Sequence, residues 1–466
     1  MKRLLYFATF LILSSFSTGV MAQTSVVAHV SIPFVIKNTI IREHIFPATV
    51  SYMEKEDSEN GVFLYADNSM SATYLPIDSN YMVSDFVIDN DTVWFCGNIR
   101  GGKCFFGFFD INDFFFGSHN YYIASNAFFT TQSLVTTLSK LVSYVDSIAV
   151  RHIVAIGKTD LGQYCVVNVT YNAAMSNWNY ETGEVPASSP ETMVDIKVTD
   201  AGDVFTGGMY LFDPNNPGLV LRAYDRNKVL GPGVNIQDYA NEIVDVSSQY
   251  SFCLDQVSLL PMSCKEIAVA AFYKKYQNDS IALLPEGTYI GRYRIGAPKQ
   301  IITHRFSILA PHSYYNGGWK LYGFSQENPQ FFTFNLLQEY EMPNTGFLQS
   351  VVYELSLNIV DNALPFSYVT TDDYYFWSID GHYSTLYYLM NGLSMIDNLN
   401  IVYNFGQQGL NGCLDDGYLQ PVPIYMIDVV HDAPFSIISD SFKFKPLKAN
   451  LYTEDISVDC SAKSKR

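Results

Sequence analysis

The residues that could do chemistry are scattered along the chain and form no known catalytic motif. The nucleophile pattern GxSxG, the zinc pattern HExxH, the phosphate-binding GxxxxGK[ST] and the dinucleotide-binding GxGxxG are all missing from the sequence. Of the eight histidines, only His304 and His312 share one short segment, and nothing in the sequence orients them. We therefore assign no catalytic, cofactor-binding or metal-binding residue, although a site assembled from the loops of several repeats would leave no local motif.

Two oxygen-rich segments could hold calcium. They are Asp89-Asn90-Asp91 and Asp415-Asp416-Gly417. Carboxylate and amide oxygens are the ligands that calcium prefers, but an Asx turn gives a sufficient structural reason for both segments. We expect no cofactor, with calcium as the alternative.

Seven cysteines make disulfides plausible if the chain is exported, and the odd count leaves at least one unpaired. Cys96 and Cys104 stand opposite one another if the loop between their strands is centred on Arg100, and cross-strand neighbours are near bridging distance. The expected pairs are Cys96 with Cys104, Cys253 with Cys264, and Cys413 with Cys460, with Cys165 left over. The alternative is that the cysteines are buried, reduced and act as small hydrophobic residues.

The elements that must position any site are short β-strands. Residues 85–112 predict a hairpin, because β-branched and aromatic runs flank Gly101-Gly102, which permits positive φ in a turn. The same pattern of apolar strand, turn and apolar return strand recurs loosely at 152–169, 203–225, 251–273, 319–336 and 374–390.

The recurrence predicts an all-β fold. Corresponding positions in the six hairpins are spaced by about 47 to 69 residues, close to the period of four-stranded propeller blades with variable loops. No amphipathic helix of about ten or more residues is evident, and 131–145 favours a strand. We predict one β-propeller of six, alternatively seven, four-stranded blades, closed by pairing between N-terminal and C-terminal strands.

Two short segments carry a family resemblance. Thr206-Gly207-Gly208-Met209-Tyr210 and Gly317-Gly318-Trp319 are similar to the double glycine and aromatic residue of kelch repeats. On these residues the chain resembles the secreted β-propellers of Gram-negative bacteria, in a loosely kelch-like sense. The resemblance implies the architecture only, and no functional residue is carried over from it.

Composition and the two ends suggest export. Residues 1–22 combine Lys2 and Arg3 with an apolar run and a small-residue cleavage site, so we predict a signal peptide, a β-propeller at 23–445 and a frayed basic tail at 446–466. No later apolar run is long enough for a transmembrane anchor. The net charge of -18 opposes nucleic acid binding. The expected location is the periplasm, the outer surface or the extracellular space, and the oligomeric state stays open.

Our leading expectation is a non-enzymatic, secreted scaffold that binds a protein or a glycan at the cell envelope through loops on a common rim. The candidate rim residues are Asn98, Arg100, Trp178, Asn215, Asn216, Gln326 and Asn328. One alternative is an extracellular polysaccharide hydrolase or lyase whose site is built from loops of several blades. Another is a structural component of an envelope assembly.

Overall fold

The computed structural model describes most of the chain after residue 26. The described residues are 27–30, 36–43, 49–55, 61–66, 71–116, 120–125, 128–130, 132–146, 148–172, 177–185, 191–199, 202–210, 218–224, 242–246, 250–263, 266–275, 287–294, 301–309, 319–328, 331–341, 348–358, 364–371, 374–382, 387–394, 400–405, 415–419, 426–430, 436–455 and 457–459. The segment expected to be a signal peptide lies outside them.

Antiparallel strands dominate the described residues, which confirms the all-β prediction. The described helix, α1, is a single turn at Asp113–Phe116. The described strands form seven sheets, numbered here in chain order of their first long strand. Within the described residues, no helix is long and apolar enough to cross a bilayer.

The first three sheets are each a four-stranded meander with one added outer strand. Sheet 1 contains β2 (Ile36–Glu43), β3 (Thr49–Lys55), β4 (Gly61–Ala66), β5 (Ser71–Pro76) and β33 (Tyr452–Asp455). Sheet 2 contains β6 (Tyr81–Asp89), β7 (Thr92–Ile99), β8 (Lys103–Asp110), β9 (Asn120–Ala124) and β32 (Lys445–Lys448). Sheet 3 contains β10 (Val135–Val145), β11 (Arg151–Thr159), β12 (Tyr164–Asn172), β13 (Asn177–Glu184) and β31 (Ser436–Phe442).

The remaining sheets repeat this plan with two variations. Sheet 4 contains β14 (Asp195–Val198), β15 (Val204–Tyr210), β16 (Gly218–Tyr224), β17 (Glu242–Val246) and β30 (Met426–Val430). Sheet 5 contains β18 (Tyr250–Ser263), β19 (Glu266–Lys275), β20 (Gly287–Arg294) and β21 (Ile301–Leu309). Sheet 6 contains β22 (Trp319–Asn328), β23 (Phe331–Glu341), β24 (Leu348–Asn358), β25 (Leu364–Thr371) and β29 (Asp415–Leu419). Sheet 7 contains β26 (Tyr374–His382), β27 (Tyr387–Ser394), β28 (Asn400–Phe405), β1 (Val27–Val30) and β34 (Ser457–Asp459).

The sheets contact one another in a cycle through their first strands. The first strand of each sheet packs against the first strand of the next, and β26 of sheet 7 packs against β2 of sheet 1. In sheet 7, strand β1 pairs with β28, so the predicted pairing of N-terminal and C-terminal strands is confirmed. The described sheets number seven, which corrects the leading expectation of six repeats in favour of the alternative.

The C-terminal segment supplies the outer strands in reverse order. Strands β29 to β34 pair successively with sheets 6, 4, 3, 2, 1 and 7. The expectation of a frayed tail at 446–466 is therefore wrong over β32, β33 and β34, which pair with β9, β5 and β1. The added strands provide hydrogen-bond partners for the backbone groups along the outer edge of each sheet. The short C-terminal segments carry no local sequence signal that shows which sheet edge they join.

Side chains pack between the sheets because both faces of the central strands are covered. In β7, the run from Val93 to Gly97 is entirely buried. One face joins an aromatic core with sheet 1, in which the Phe63 ring lies 5.2 Å from that of Phe95. The other face joins a core with sheet 3 that contains Trp94. Strands buried on both faces read as continuous apolar runs, as this one does.

Polar side chains connect the first strands of neighbouring sheets. The Asp85 carboxylate on β6 accepts a hydrogen bond from the Leu141 backbone N–H on β10 at 3.1 Å. Asp195 on β14 repeats this arrangement, accepting from the Leu259 N–H on β18 at 2.8 Å. Because β10 and β18 are the first strands of their sheets, one edge of each strand has no ladder partner, and such contacts help to satisfy its backbone donors.

Gly97 on β7 and Gly157 on β11 occupy equivalent places in sheets 2 and 3, and close packing against the first strand requires glycine at both. A Cβ on Gly97 would lie 1.9 Å from the Met82 carbonyl oxygen, and one on Gly157 would lie 2.0 Å from the Thr137 carbonyl oxygen. At these two positions, in sheets 2 and 3, the second strand approaches the backbone of the first strand too closely for a side chain. This close approach explains a repeated glycine for which turn geometry gives no reason.

The cysteines differ from expectation in their register. Cys96 lies opposite Phe106, and Cys104 lies opposite Asn98, so the two cysteines are diagonal neighbours. Diagonal positions are about 7–8 Å apart, beyond the Cβ separation of a disulfide. Cys96 and Cys104 are buried free thiols, which corrects the expected bridge, and Cys165 is also free and buried. The side chains of Cys253, Cys264, Cys413 and Cys460 lie outside the described residues, so those two pairings stay predictions.

Candidate active site

A polar cluster lies on the face of sheet 3 that packs towards sheet 4. The apolar part of this face, including Val154 and Val166, forms a core with Ile196 and Val204 of sheet 4. Strand geometry places alternate residues on one face, so His152 on β11 shares this face with Val154. Asn168 pairs with Val154 across β11 and β12 and therefore lies on it too.

His152 is held between two hydrogen-bond acceptors. Its Nδ1 lies 3.1 Å from Asn168 Oδ1, and its Nε2 lies 3.2 Å from Asp146 Oδ2. The Tyr144 ring stacks on the imidazole with ring centroids 4.8 Å apart and an interplanar angle of 2°. The two hydrogen bonds and the stacked ring fix the orientation of the imidazole.

Asp146 is an anchored carboxylate at the end of β10. Partial burial acts to raise its pKa, but hydrogen bonds from the Val150 N–H, the His152 ring and the Ile148 N–H more than offset this and hold the pKa below its usual value. The Val150 and Ile148 bonds measure 2.8 and 3.0 Å. Asp146 therefore stays ionised and orients the imidazole.

Glu181 extends the cluster to the next strand. It lies opposite Asn168 in the pairing of β12 and β13, and its carboxyl group accepts a hydrogen bond from the Asn168 side chain. Burial raises the pKa of Glu181 to about 7, with the Asn168 bond acting in the opposite direction. Asn168 itself is 2% exposed, whereas Glu181 is partly exposed. Glu181 is thus the member of the cluster that a bound molecule can reach.

The cluster can transfer protons near neutral pH. A carboxyl group with a pKa near 7 is present in both protonation states, which is the condition for efficient general acid or base catalysis. The environments of Glu181 and Asp146 move their pKa values in opposite directions, as in enzymes where two carboxyl groups take different roles. Asp146, His152, Asn168 and Glu181 form one continuous chain of hydrogen bonds.

The expected rim residues do not converge on this cluster. Asn98 accepts a hydrogen bond from the Leu138 N–H at 3.3 Å and so connects sheets 2 and 3, while Arg100 is exposed in the β7–β8 turn. Trp178, expected in an exposed loop, lies in β13 and is half-buried against other aromatic rings. Asn215 and Asn216 fall outside the described residues, as do the side chains of Gln326 and Asn328.

The expected common rim also needs correction. Asn98 ends β7 and Arg100 follows it, at the turn between the second and third strands of sheet 2. Gln326 and Asn328 are at the end of β22, where the first strand of sheet 6 leads to the second. Because successive antiparallel strands run in opposite directions, these connections lie at opposite ends of their sheets. The first three predicted hairpins consist of the second and third strands of their sheets. The hairpins at 251–273, 319–336 and 374–390 consist of the first and second strands.

The Asp89-Asn90-Asp91 segment forms a turn at the end of β6, where Asn90 has a φ of 53°. Asp89 pairs with Arg151 of sheet 3 at 3.0 Å and accepts a hydrogen bond from Ser143. Across the described part of the chain, no group of three or more His, Cys, Asp or Glu side chains is placed to hold a metal ion. Asp89 thus connects two sheets.

Sequence reasoning missed Asp146, His152, Asn168 and Glu181. They come from the end of one strand and from three further strands, and no fixed spacing relates them. The one sequence feature that could have indicated these residues is that they are polar and lie on a strand face that is otherwise apolar. That signal becomes readable only when the strand pairing is known.

Comparison with known proteins gives a structural likeness only. No protein-family model matches the chain, and no characterised protein matches it in sequence. The chain is similar to a structure of polysaccharide lyase family PL25, an ulvan lyase bound to -[GlcA(1-4)Rha3S]-, with a TM-score of 0.44 and 10% identity over 82% of this chain and 95% of that chain. A second ulvan lyase structure gives a TM-score of 0.43 at the same identity and coverage.

These structures are of an enzyme that acts on a polysaccharide. They contradict our leading expectation of a non-enzymatic binding scaffold, which we correct, and agree better with the alternative of a polysaccharide hydrolase or lyase. At 10% identity, no residue of this chain inherits a role from the lyase.

Proposed function

We propose that the chain is an exported enzyme that cleaves a polysaccharide, with Glu181 as the group that transfers the proton. The observation that carries the proposal is the partly exposed Glu181 carboxyl group, whose pKa is raised to about 7 and which Asn168, His152 and Asp146 hold in a chain of hydrogen bonds. Structural carboxylates are usually exposed or paired with a cation, whereas perturbed groups in connected networks are typical of active sites.

Of the two expected reactions, β-elimination fits the cluster better than hydrolysis. Hydrolysis of a glycosidic bond generally requires two carboxyl groups that both face the substrate. Here Asp146 is occupied by three hydrogen-bond donors, and its side chain is 8% exposed. Glu181 is left as the cluster's single accessible carboxyl group, and one group is enough to remove a proton α to a uronate carboxylate.

The reaction would proceed by proton removal and loss of the leaving sugar. The ionised Glu181 carboxylate takes the proton from C5 of the uronate, and the electron pair of that C–H bond forms the C4–C5 double bond. The C4–O4 bond breaks, and its electron pair stays on O4, which takes a proton from the newly protonated Glu181. Asn168 holds the Glu181 carboxyl group in place, because its own carbonyl oxygen is fixed by His152.

The test is a turnover screen with polygalacturonate, alginate and xylan. Elimination produces an unsaturated uronate that absorbs in the ultraviolet, whereas hydrolysis produces reducing ends without that absorbance. We expect elimination with one of the two polyuronates, and a loss of at least about a hundredfold in kcat for Glu181→Gln.

The matched control is Asp440→Asn, which alters an exposed carboxylate on β31, the strand next to β13. It should keep full activity. Absence of turnover with every polymer, or equal activity of Glu181→Gln and the native protein, would overturn the proposal. Reducing ends without ultraviolet absorbance would assign hydrolysis instead.

We also propose that the seven sheets are the blades of one closed β-propeller and that the protein is exported. The cyclic order of sheet contacts and the pairing of β1 with β28 support the ring. A small-angle scattering profile that fits an elongated solenoid would contradict it. For export, the N-terminal sequence of the protein secreted by a Gram-negative host should begin at Gln23.

A further inference from the structure

A buried polar cluster lies on the face of sheet 3 that packs towards sheet 2. Tyr180 belongs to the core between these two sheets, and alternation along β13 places Thr182 and Glu184 on the same face. The connection from β9 to β10 covers this face. Its Phe128 ring packs on Tyr180 at 4.9 Å between centroids, and its Ser133 hydroxyl donates a hydrogen bond to Glu184 at 2.8 Å. Thr182, midway between Tyr180 and Glu184, therefore faces the same connection.

Glu184 is a buried carboxylate that lacks a cationic partner. It is 5% exposed, and among the residues that the structure describes no Lys, Arg or His side chain forms an ion pair with it. The other buried carboxylates each contact a cation or a backbone N–H: Glu191 with Arg222, Asp195 with Lys140, and Asp85 with the Leu141 N–H. Since buried charges in proteins are paired or bind a metal ion, Glu184 is the exception that calls for a ligand.

The Thr182 hydroxyl is a second unsatisfied group beside this carboxylate. Thr182 is 0% exposed, and its Oγ1 has no hydrogen-bond partner. It lies about 7 Å from Glu184 along the strand, on the same face. A bound water or ion is a usual explanation for such an atom. Because a water molecule would leave the charge of Glu184 uncompensated, the two groups together favour a cation.

The charge around the cluster also favours a cation. The exposed Asp160 carboxylate accepts a hydrogen bond from the Leu134 N–H at 3.1 Å and adds negative charge next to Ser133. Lys158, the basic residue closest to Asp160 in sequence, lies on the other face of sheet 3, where its Nζ is 4.6 Å from the centroid of the Tyr164 ring.

We propose that this cluster binds one hard metal cation through oxygen atoms. The Glu184 carboxylate would supply the charge, and the hydroxyl oxygens of Thr182, Thr130 and Ser133 would supply neutral ligands. Thr130 Oγ1 and Ser133 Oγ lie 2.7 Å apart, so these two hydroxyls are already gathered beside the carboxylate. Hard cations such as calcium take carboxylate and neutral oxygen ligands, with water completing the coordination.

The bound cation would fasten the connection between sheets 2 and 3 to β13. Phe128 of this connection is part of the core between the two sheets, so the site lies against the interface that it would stabilise. A ligand that binds only the folded state raises the melting temperature as its free concentration rises. The inference does not depend on the proposed cleavage of a polysaccharide, because Glu181 lies on the opposite face of β13.

The experiment measures the melting temperature of the purified protein after treatment with EDTA and exchange into a choline chloride buffer. Calcium, magnesium, sodium or potassium chloride is then added at constant ionic strength. We expect one of these cations to raise the melting temperature in a saturable way. Glu184→Gln should abolish the increase. The matched control is Asp440→Asn, which removes an exposed carboxylate on β31 and should keep the full increase.

A second variant tests the site if Glu184→Gln protein does not fold. Thr182→Val keeps the shape of the side chain and removes only the hydroxyl, so it should weaken cation binding by about tenfold or more. Equal affinity in Thr182→Val and native protein would overturn the proposal, as would a melting temperature that responds to none of the four cations. A shift of the same size in Glu184→Gln would also overturn it, because the cation would then bind elsewhere on the acidic surface.

Discussion

Replacing Glu181 by glutamine should change how the stability of the protein depends on pH. The side chain keeps its shape and an oxygen that accepts from Asn168, but it can no longer ionise. In the native protein, burial raises the pKa of Glu181 from 4.5 to about 7. The folded state therefore binds more protons than the unfolded state between these pH values, and the free energy of unfolding falls as pH rises through this window.

The magnitude follows from the pKa difference. At about 1.4 kcal/mol for each pH unit, the change from 4.5 to about 7 gives an upper limit of about 3.5 kcal/mol. Because Glu181 is partly exposed, solvent screening reduces this to about 1 to 2 kcal/mol. Glu181→Gln should match the native protein near about pH 4.5 and exceed its stability by about 1 to 2 kcal/mol near about pH 8.

Urea unfolding at four pH values between about 4.5 and 8 measures this difference. Asp440→Asn is the control, and its curve should run parallel to that of the native protein. A Glu181→Gln curve that also runs parallel would refute the raised pKa, and with it the assignment of Glu181 as the proton-transfer group.

Four further outcomes are expected. Arg222→Met should lower the free energy of unfolding by about 3 to 5 kcal/mol, because the buried Glu191 carboxylate loses the guanidinium that contacts it at 2.5 and 2.7 Å. The double variant Arg222→Met with Glu191→Leu should recover most of the lost stability. Gly97→Ala should lower the free energy of unfolding by about 1 to 3 kcal/mol in urea denaturation, because its Cβ would overlap the Met82 carbonyl oxygen. Deleting 436–466 should cause aggregation on size-exclusion chromatography, as it uncovers the edges of four sheets, and deleting 460–466 should not. With a polyuronate substrate, kcat/KM should rise with added salt, since screening weakens repulsion by the net charge of -18; a fall would point to a local basic site.

Local sequence signals were sufficient for the strands and turns. The hairpin of β7 and β8 was predicted from two apolar runs and a glycine pair, and both glycines have positive φ, 103° and 88°. The same reasoning placed 131–145 in a strand, and the structure has a strand, β10, over Val135–Val145. These predictions worked because residue preferences for strands and turns act over a few neighbouring residues.

The register and the pairing of the strands could not be predicted from local sequence. Cys96 and Cys104 were predicted to face one another, but the true pairing is offset by two residues because Asn98, not Cys96, lies opposite Cys104. The later hairpins were aligned with the wrong strands of the sheet, since a hairpin of first and second strands has the same local pattern as one of second and third strands. A shift of one strand moves every connecting loop to the other end of its sheet.

The sequence by itself determined an all-β chain of repeated meanders, because β-branched and aromatic runs and glycine-containing turns specify strands and turns locally. Only the tertiary structure decided that β29 to β34 would return along the outer edges of the sheets, and that His152, Asn168 and Glu181 would meet on one face. Both outcomes depend on contacts between residues far apart in the chain, whose energies come from burial and hydrogen bonding and not from local preference.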